Sequence, residues 1–148
     1  MRAYTGETAE GKSMRIAFIG DLQYGENERE HIVAELRRVA SLHPDFAVFL
    51  GDHAGQRLGS RGGLRDLREL MGSLGCPYHA ILGNHDVECF PHNYYDNAPV
   101  AEYREAFGRD PWRAEFIGGV LFVFVTVERQ PCEPMRTINA VYASDRQF

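Results

Sequence analysis

The sequence lacks the features that mark several classes of protein. Its three cysteines, Cys76, Cys89 and Cys132, are odd in number and form no CxxC pair, so a disulfide scaffold is not expected and a cytoplasmic location is favoured. No apolar run approaches the ~20 residues of a membrane-spanning helix, and no secretory signal opens the chain. Acidic residues outnumber basic ones by 21 to 16, which leaves no basic footprint for nucleic acid.

Length and composition fit one globular domain. The chain has 148 residues, of which 44% are hydrophobic and 25% charged. Residues 1–13 show no periodicity, and we interpret them as a polar N-terminal extension that the fold can spare. The folded domain is predicted to span residues 14–148.

One motif in that extension matches the phosphate-binding P-loop. Gly6 to Ser13 fits the pattern GxxxxGK[ST]. A P-loop needs a buried strand before it and a helix N-terminus after it, so that amides point at the phosphates. Here only five residues precede Gly6, and an apolar strand pattern follows Ser13. We therefore expect an extended or disordered segment that binds no nucleotide.

Apolar runs and amphipathic stretches alternate through the first half of the domain. Strands are predicted near 14–20, 46–50 and 78–82, each closed by glycine, with one helix starting at Asn27 and another over 64–74. This βαβαβ order predicts an α/β fold with a mainly parallel sheet. A short helix at 100–107 follows, and then two strands joined by Gly118-Gly119, which is a hairpin signal.

Polar residues follow each of the three predicted strands. Asp21, Asp52 and Asn84 come directly after them, about one βαβ unit apart, and His85 follows Asn84. Loops at the carboxyl ends of parallel strands lie at one edge of the sheet, where ligands bind. Oxygen ligands of this kind suit Mn²⁺, Fe²⁺ or Mg²⁺, and two such ions can activate water and clamp a phosphoryl group. A nearby imidazole can protonate the leaving oxygen.

These blocks resemble a known family. Asp21-Leu22-Gln23, Gly51-Asp52 and Gly83-Asn84-His85-Asp86 are similar to the first three signature blocks of the calcineurin-like metallophosphoesterases. The resemblance implies the N-terminal half of a two-sheet α/β sandwich with two divalent metal ions. The implied metal ligands are Asp21, Gln23, Asp52, which bridges both ions, and Asn84. The implied catalytic residues are His85, which together with Asn84 contacts the substrate phosphate, and Asp86, which orients His85.

The chain departs from the family pattern in two places. Gln23 stands where the family usually has histidine, and with Tyr24 it resembles the manganese-dependent ADP-ribose/CDP-alcohol diphosphatases. An amide oxygen is a harder ligand than an imidazole, which favours Mn²⁺ or Mg²⁺ over Zn²⁺ at this site, unless Gln23 is a lost ligand. Mn²⁺ is the preferred ion, with Fe, Zn or Mg as the alternatives. The family also uses three later histidines, whereas none follows His92. The sequence therefore has the appearance of a fragment, cut within the domain.

We interpret the chain as a metal-dependent hydrolase (a phosphatase in the broad sense) of phosphoester or diphosphate bonds. Its substrate would be a small phosphorylated or nucleotide-like molecule. The alternative is a non-catalytic fragment that binds one metal weakly. Residues 120–127 are expected to expose apolar surface and to favour self-association. Of the remaining histidines, His53 is a candidate for the cleft and His79 for the core.

Overall fold

A four-stranded sheet forms the centre of the fold. The computed structural model describes residues 2–7, 13–24, 29–53, 61–83, 86, 98–128 and 145–147. The strands are β1 (Arg2–Glu7), β2 (Ser13–Ile19), β3 (Phe46–Phe49) and β4 (Tyr78–Ala80), and they lie in that order across the sheet. The pairs β2–β3 and β3–β4 are parallel, as the sequence predicted. All three parallel strands therefore end at one edge.

Two helices connect the parallel strands: α1 (Arg29–Ala40) joins β2 to β3, and α2 (Arg61–Gly72) joins β3 to β4. A third helix, α3 (Ala98–Phe107), follows β4 in the chain. The predicted apolar stripes are buried, with Leu36 1% and Leu67 1% exposed. Tyr103 fixes α3 to the sheet, because its hydroxyl donates to the carbonyl of Ala80 at 2.6 Å. Within the described parts of the chain, no helix is long and apolar enough to cross a membrane.

Side chains of the sheet alternate between two separate cores. Ala17, Ile19 and Phe49 face one side, where they pack with the apolar faces of the helices. Ile16 and Val48 face the opposite side and belong to a smaller cluster. A strand buried on both faces reads as a continuous apolar run, which explains why each of these segments was recognisable in the sequence.

A two-stranded hairpin covers the second face of the sheet. It consists of β5 (Arg113–Ile117) and β6 (Val120–Phe124), which pair antiparallel. Gly118 and Gly119 have φ values of 57° and 82°, and positive φ at both positions is what a tight hairpin turn requires. Phe124 packs on the ring of Phe46, with centroids 6.4 Å apart. The expected hairpin is confirmed.

The opposite face of this hairpin is open. Phe116 is 72% exposed and Val123 is 61% exposed, and Leu121 pairs with Phe116 across the hairpin on the same side. Apolar side chains therefore line a surface that no described residue covers. The apolar exposure expected for residues 120–127 is present.

The N-terminal segment contributes a strand that the sequence analysis did not predict. All six residues of β1 pair antiparallel with β2, from Arg2 opposite Phe18 to Glu7 opposite Ser13. The backbone is extended, as expected, but it belongs to the sheet. Because β2 rather than a helix begins at Ser13, the P-loop pattern lacks the helix N-terminus that it needs. Residues 8–12 lie outside the described residues.

The chain beyond β6 runs beside the end of β4. Val127 donates its amide to the carbonyl of Leu82 at 3.2 Å, and the Thr126 hydroxyl accepts from the Leu82 amide. A short 3-10 helix, Asp145–Gln147, then packs against this segment. The Gln147 side chain accepts from the Thr126 amide at 2.9 Å and donates to its carbonyl at 3.0 Å. One side chain thus pairs with the backbone as a neighbouring strand would.

Candidate metal centre

Backbone hydrogen bonds join the loop after β2 to the loop after β3. The Asp21 amide donates to the carbonyl of Gly51 at 3.3 Å, and the Gln23 amide donates to the carbonyl of Asp52 at 3.0 Å. Parallel strands bring the loops to one edge, and these bonds then fix their relative position. The first two polar blocks therefore lie side by side.

Three of the predicted ligand residues have a left-handed backbone. The φ values are 53° for Asp21, 46° for Gln23 and 52° for Asp52. Residues with a Cβ adopt this region at a cost of roughly 1–2 kcal/mol, and such conformations cluster at functional sites. The hydrogen bonds between the two loops hold the strained residues in place. Local strain is thus concentrated where the sequence predicted the metal ligands.

Two glycines allow the loops after β3 and β4 to approach closely. A Cβ on Gly51 would lie 2.4 Å from the Gly83 amide nitrogen, and a Cβ on Gly83 would lie 2.2 Å from Oδ1 of Asp52. Neither position has room for a side chain. The Asp52 carboxylate therefore lies against the backbone of the third polar block, directly before Asn84.

Asp86 ties the same two loops together. Its Oδ1 accepts the amide of His53 at 2.8 Å, and its Oδ2 accepts the amide of Gly83 at 2.8 Å. The residue is 1% exposed. Its expected role was to orient His85, which lies outside the described residues together with Asn84, so that role stays a prediction. The contacts of Asp86 with two backbone amides were not predicted.

The two other histidines of this region are packing residues. His53 is 2% exposed, and its Nε2 lies 2.7 Å from the carbonyl oxygen of Ile81, so the ring does not line an open cleft. His79 is fully buried, with Nε2 2.8 Å from the carbonyl oxygen of Pro111. Burial lowers the pKa of His79 from 6.5 to about 4. His79 is therefore neutral at pH 7, as its place in the core requires.

The donor chemistry fits a hard divalent cation. Asp21 and Gln23 are exposed and Asp52 is half-buried, so all three can reach a ligand from solvent. They offer two carboxylates and one amide, and oxygen ligands suit Mn²⁺ and Mg²⁺. Among the described residues, no group of three or more His, Cys, Asp or Glu side chains converges. The described part of the site thus offers three oxygen-bearing side chains, and their role as metal ligands, like that of Asn84, stays a prediction.

A comparison with protein-family models shows to which family the chain belongs. The family model for calcineurin-like phosphoesterases matches residues 14–144, which is most of the chain. The chain belongs to the calcineurin-like phosphoesterases. Neither a curated protein nor a solved structure matches it. Membership of this family supports metal-dependent phosphoester hydrolysis in general terms, and the mixed α/β fold with three parallel strands agrees with the N-terminal half of such a domain.

The sequence did not reveal how the backbone around Asp52 is packed. The contact with Gly83 and the bonds made by Asp86 are visible only when the loops are placed in space. One signal was available, since glycine directly precedes the polar residue in all three blocks of this calcineurin-like phosphoesterase. A cavity of about 210 Å³ lies between α2 and α3, and the described residues that line it all belong to these two helices.

Proposed function

We propose that this chain hydrolyses a phosphoester or diphosphate bond with two divalent metal ions. The preferred ion is Mn²⁺, and Fe, Zn or Mg are the alternatives. The metal ligands would be Asp21, Gln23, Asp52 and Asn84, with Asp52 shared between the ions. His85 and Asn84 would contact the phosphoryl group. The proposal refines the general family activity, metal-dependent phosphoester hydrolysis, to a particular ligand set and metal.

One observation carries the proposal. Asp21, Gln23 and Asp52 all have left-handed backbones, and the amides of Asp21 and Gln23 donate across to the loop that holds Asp52. Loops without a ligand to hold have little reason to retain three strained residues at neighbouring positions. Together with the family match, this arrangement supports a shared metal site at the carboxyl edge of the sheet.

The residues of the site divide into electrostatic and acid-base roles. Asp21 and Asp52 bring negative charge that attracts cations and would offset the repulsion between two of them, and Gln23 adds a neutral oxygen. Bound divalent ions would polarise the phosphoryl oxygens and lower the pKa of a coordinated water. His85 would stabilise charge on the phosphoryl group or donate a proton to the leaving oxygen.

The proposed substrate is a small phosphorylated or nucleotide-like molecule in the cytoplasm. The Gln23-Tyr24 pair supports this through its resemblance to the ADP-ribose/CDP-alcohol diphosphatases. Tyr24 is only 6% exposed, and its hydroxyl accepts a bond from Arg29 at 3.0 Å. Tyr24 thus shapes the loop after Gln23 and does not offer an open surface for a base to stack on.

The experiment measures binding and turnover separately. Mn²⁺ binding is followed by calorimetry, and hydrolysis is followed with bis-p-nitrophenyl phosphate and ADP-ribose. Asp52→Asn and His85→Ala are compared with wild type. Asp45→Asn is the matched control, because the Asp45 carboxylate accepts the Arg15 amide at 2.7 Å at the opposite end of the strands.

The two variants separate the proposed function from the alternative. We expect Asp52→Asn to weaken Mn²⁺ binding and to abolish turnover, and His85→Ala to abolish turnover while it leaves Mn²⁺ binding within a few-fold of wild type. The control should match wild type in both measurements. Weak binding of one equivalent of Mn²⁺ without turnover of either substrate would instead favour the non-catalytic alternative.

A further inference from the structure

Asp86 forms hydrogen bonds with the loops that follow β3 and β4, beyond the last paired residues of these two strands. Its two carboxylate oxygens accept the amides of His53 and Gly83, each at 2.8 Å. With 1% exposure, this carboxylate has little contact with water. Hydrogen bonds from backbone amides to an ionised carboxylate are stronger than bonds between neutral groups. The side chain therefore acts as a clamp between the loops that follow β3 and β4.

Asp52 lies between the two points that this clamp holds. It directly precedes His53 in the chain, and its Oδ1 lies so close to Gly83 that a Cβ on that glycine would be only 2.2 Å from it. Its φ of 52° is a strained conformation for a residue with a Cβ. Such a conformation persists only where the surroundings enforce it, and the bonded amide of the next residue is one such constraint.

The neighbouring imidazole does not compete for the clamp. The Nε2 atom of His53 lies 2.7 Å from the Ile81 carbonyl oxygen and 3.9 Å from Oδ2 of Asp86. The shorter distance is a hydrogen bond and the longer one is not. Both oxygens of Asp86 thus remain directed at backbone amides.

We propose that Asp86 is a positioning residue for Asp52, which it fixes by clamping the amides on either side of the Asp52 carboxylate. This inference rests on the proposed function, in which Asp52 is a metal ligand. It assigns to Asp86 a task separate from the orientation of His85. The prediction is that Asp86 controls metal affinity even where no substrate is present.

The test uses Asp86→Asn, which has nearly the same shape. The amide group offers one accepting oxygen, and its NH₂ would face the second backbone N–H, so one of the two bonds must break. Positioning groups of this kind typically change metal affinity by about 10–100-fold. We expect a loss of Mn²⁺ affinity in that range by calorimetry. Asp45→Asn, which also removes a carboxylate from a backbone amide, should retain wild-type affinity.

Amide hydrogen exchange in the metal-free chain gives a second readout. The amides of His53 and Gly83 should be protected in wild type and should exchange at least about tenfold faster in Asp86→Asn. If the variant does not fold, wild type alone decides, because exchange of both amides at the rate of exposed loop amides would overturn the clamp.

The outcomes distinguish this inference from the proposed function. If wild type binds no Mn²⁺, the proposed metal site fails, while the exchange rates still decide whether Asp86 clamps the loops. If wild type binds Mn²⁺ and Asp86→Asn binds it equally well, the metal site stands and the positioning role is wrong. If Asp86→Asn loses turnover but neither affinity nor protection, Asp86 acts only on His85.

Discussion

A methyl group at Gly83 tests the close approach of the two loops. In Gly83→Ala, the added Cβ would lie 2.2 Å from Oδ1 of Asp52, 2.5 Å from its amide nitrogen and 2.8 Å from its Cγ. Ordinary contacts begin near 3.5 Å, so the overlap exceeds about 1 Å. Because one of these atoms belongs to the backbone, a rotation of the Asp52 side chain cannot relieve the clash.

We expect Gly83→Ala to lower the free energy of unfolding by an amount at the upper end of the range for overpacked cores. Forced insertions of this kind cost about 3 kcal/mol. For a chain of this size, that should lower the Tm by about 6–12 °C, measured by circular dichroism in metal-free buffer. The φ of Gly83 lies outside the left-handed region, so the contact with Asp52 is the source of the effect.

Gly72→Ala is the matched control. A Cβ at that position meets nothing within 4 Å, and the residue lies in the last turn of α2. Alanine favours a helix over glycine by up to about 1 kcal/mol, so the Tm should stay the same or rise. The reasoning is refuted if Gly83→Ala unfolds at the wild-type temperature, because Asp52 would then not lie against Gly83.

Four further predictions follow from strain, burial and exposed surface. Gln23→Gly should raise the free energy of unfolding by about 1 kcal/mol, since glycine tolerates a φ of 46°, while it weakens Mn²⁺ binding in calorimetry. Burial lowers the pKa of His79 from 6.5 to about 4, so as the pH falls the unfolded chain takes up the proton before the folded chain does. Urea melts should therefore show the free energy of unfolding decreasing by on the order of 2–3 kcal/mol between pH 6.5 and pH 4, and His79→Leu should lack this decrease. Gln147→Ala removes two hydrogen bonds to Thr126 and should cost about 1–3 kcal/mol in thermal melts. Val123→Lys should reduce self-association in analytical ultracentrifugation, because it places a charge on the open hairpin face.

Two of these predictions have a control variant, and for the other two a contradicting outcome is defined. His31→Gln, at an exposed position on α1, is the matched histidine substitution outside the core for comparison with His79→Leu. Arg38→Ala removes an exposed ion pair with Glu35 at 3.2 Å and should change the Tm far less than Gln147→Ala. Unchanged sedimentation of Val123→Lys would show that the hairpin face is not the contact surface. A lower stability of Gln23→Gly would contradict the argument from backbone strain.

The fold was predictable where local patterns and burial agree. Strands buried on both faces, such as Phe46–Phe49, are continuous apolar runs, and α2 carries an apolar stripe at helical spacing. The Gly118-Gly119 turn was readable because few residues other than glycine tolerate positive φ twice in succession. β1 was missed because pairing with β2 involves backbone groups, so its polar sequence carries no apolar signal.

The approach of the first two loops was predictable from the sequence, but the contacts that hold them were not. Parallel strands bring the loops of Asp21 and Asp52 to one edge, and the structure has these loops side by side, while the role of both residues as metal ligands stays a prediction. Nothing in the spacing of residues indicates that Asp86 accepts the His53 amide, since that bond joins positions 33 residues apart through the sheet. The left-handed backbone of Gln23 was also hidden, because glutamine has no general preference for it.

The antiparallel pairing of β1 has a consequence for where this protein can be shortened. The family match begins at residue 14, the second residue of β2, and therefore leaves out all of β1. A version trimmed to residues 14–144 would leave one side of β2 with unpaired amides and carbonyls at the edge of the parallel sheet. Such an edge is a template on which another copy can add a strand, which leads to aggregation. The boundary defined by sequence similarity is therefore not a safe boundary for expression, and residues 2–7 act as the protective border of the sheet.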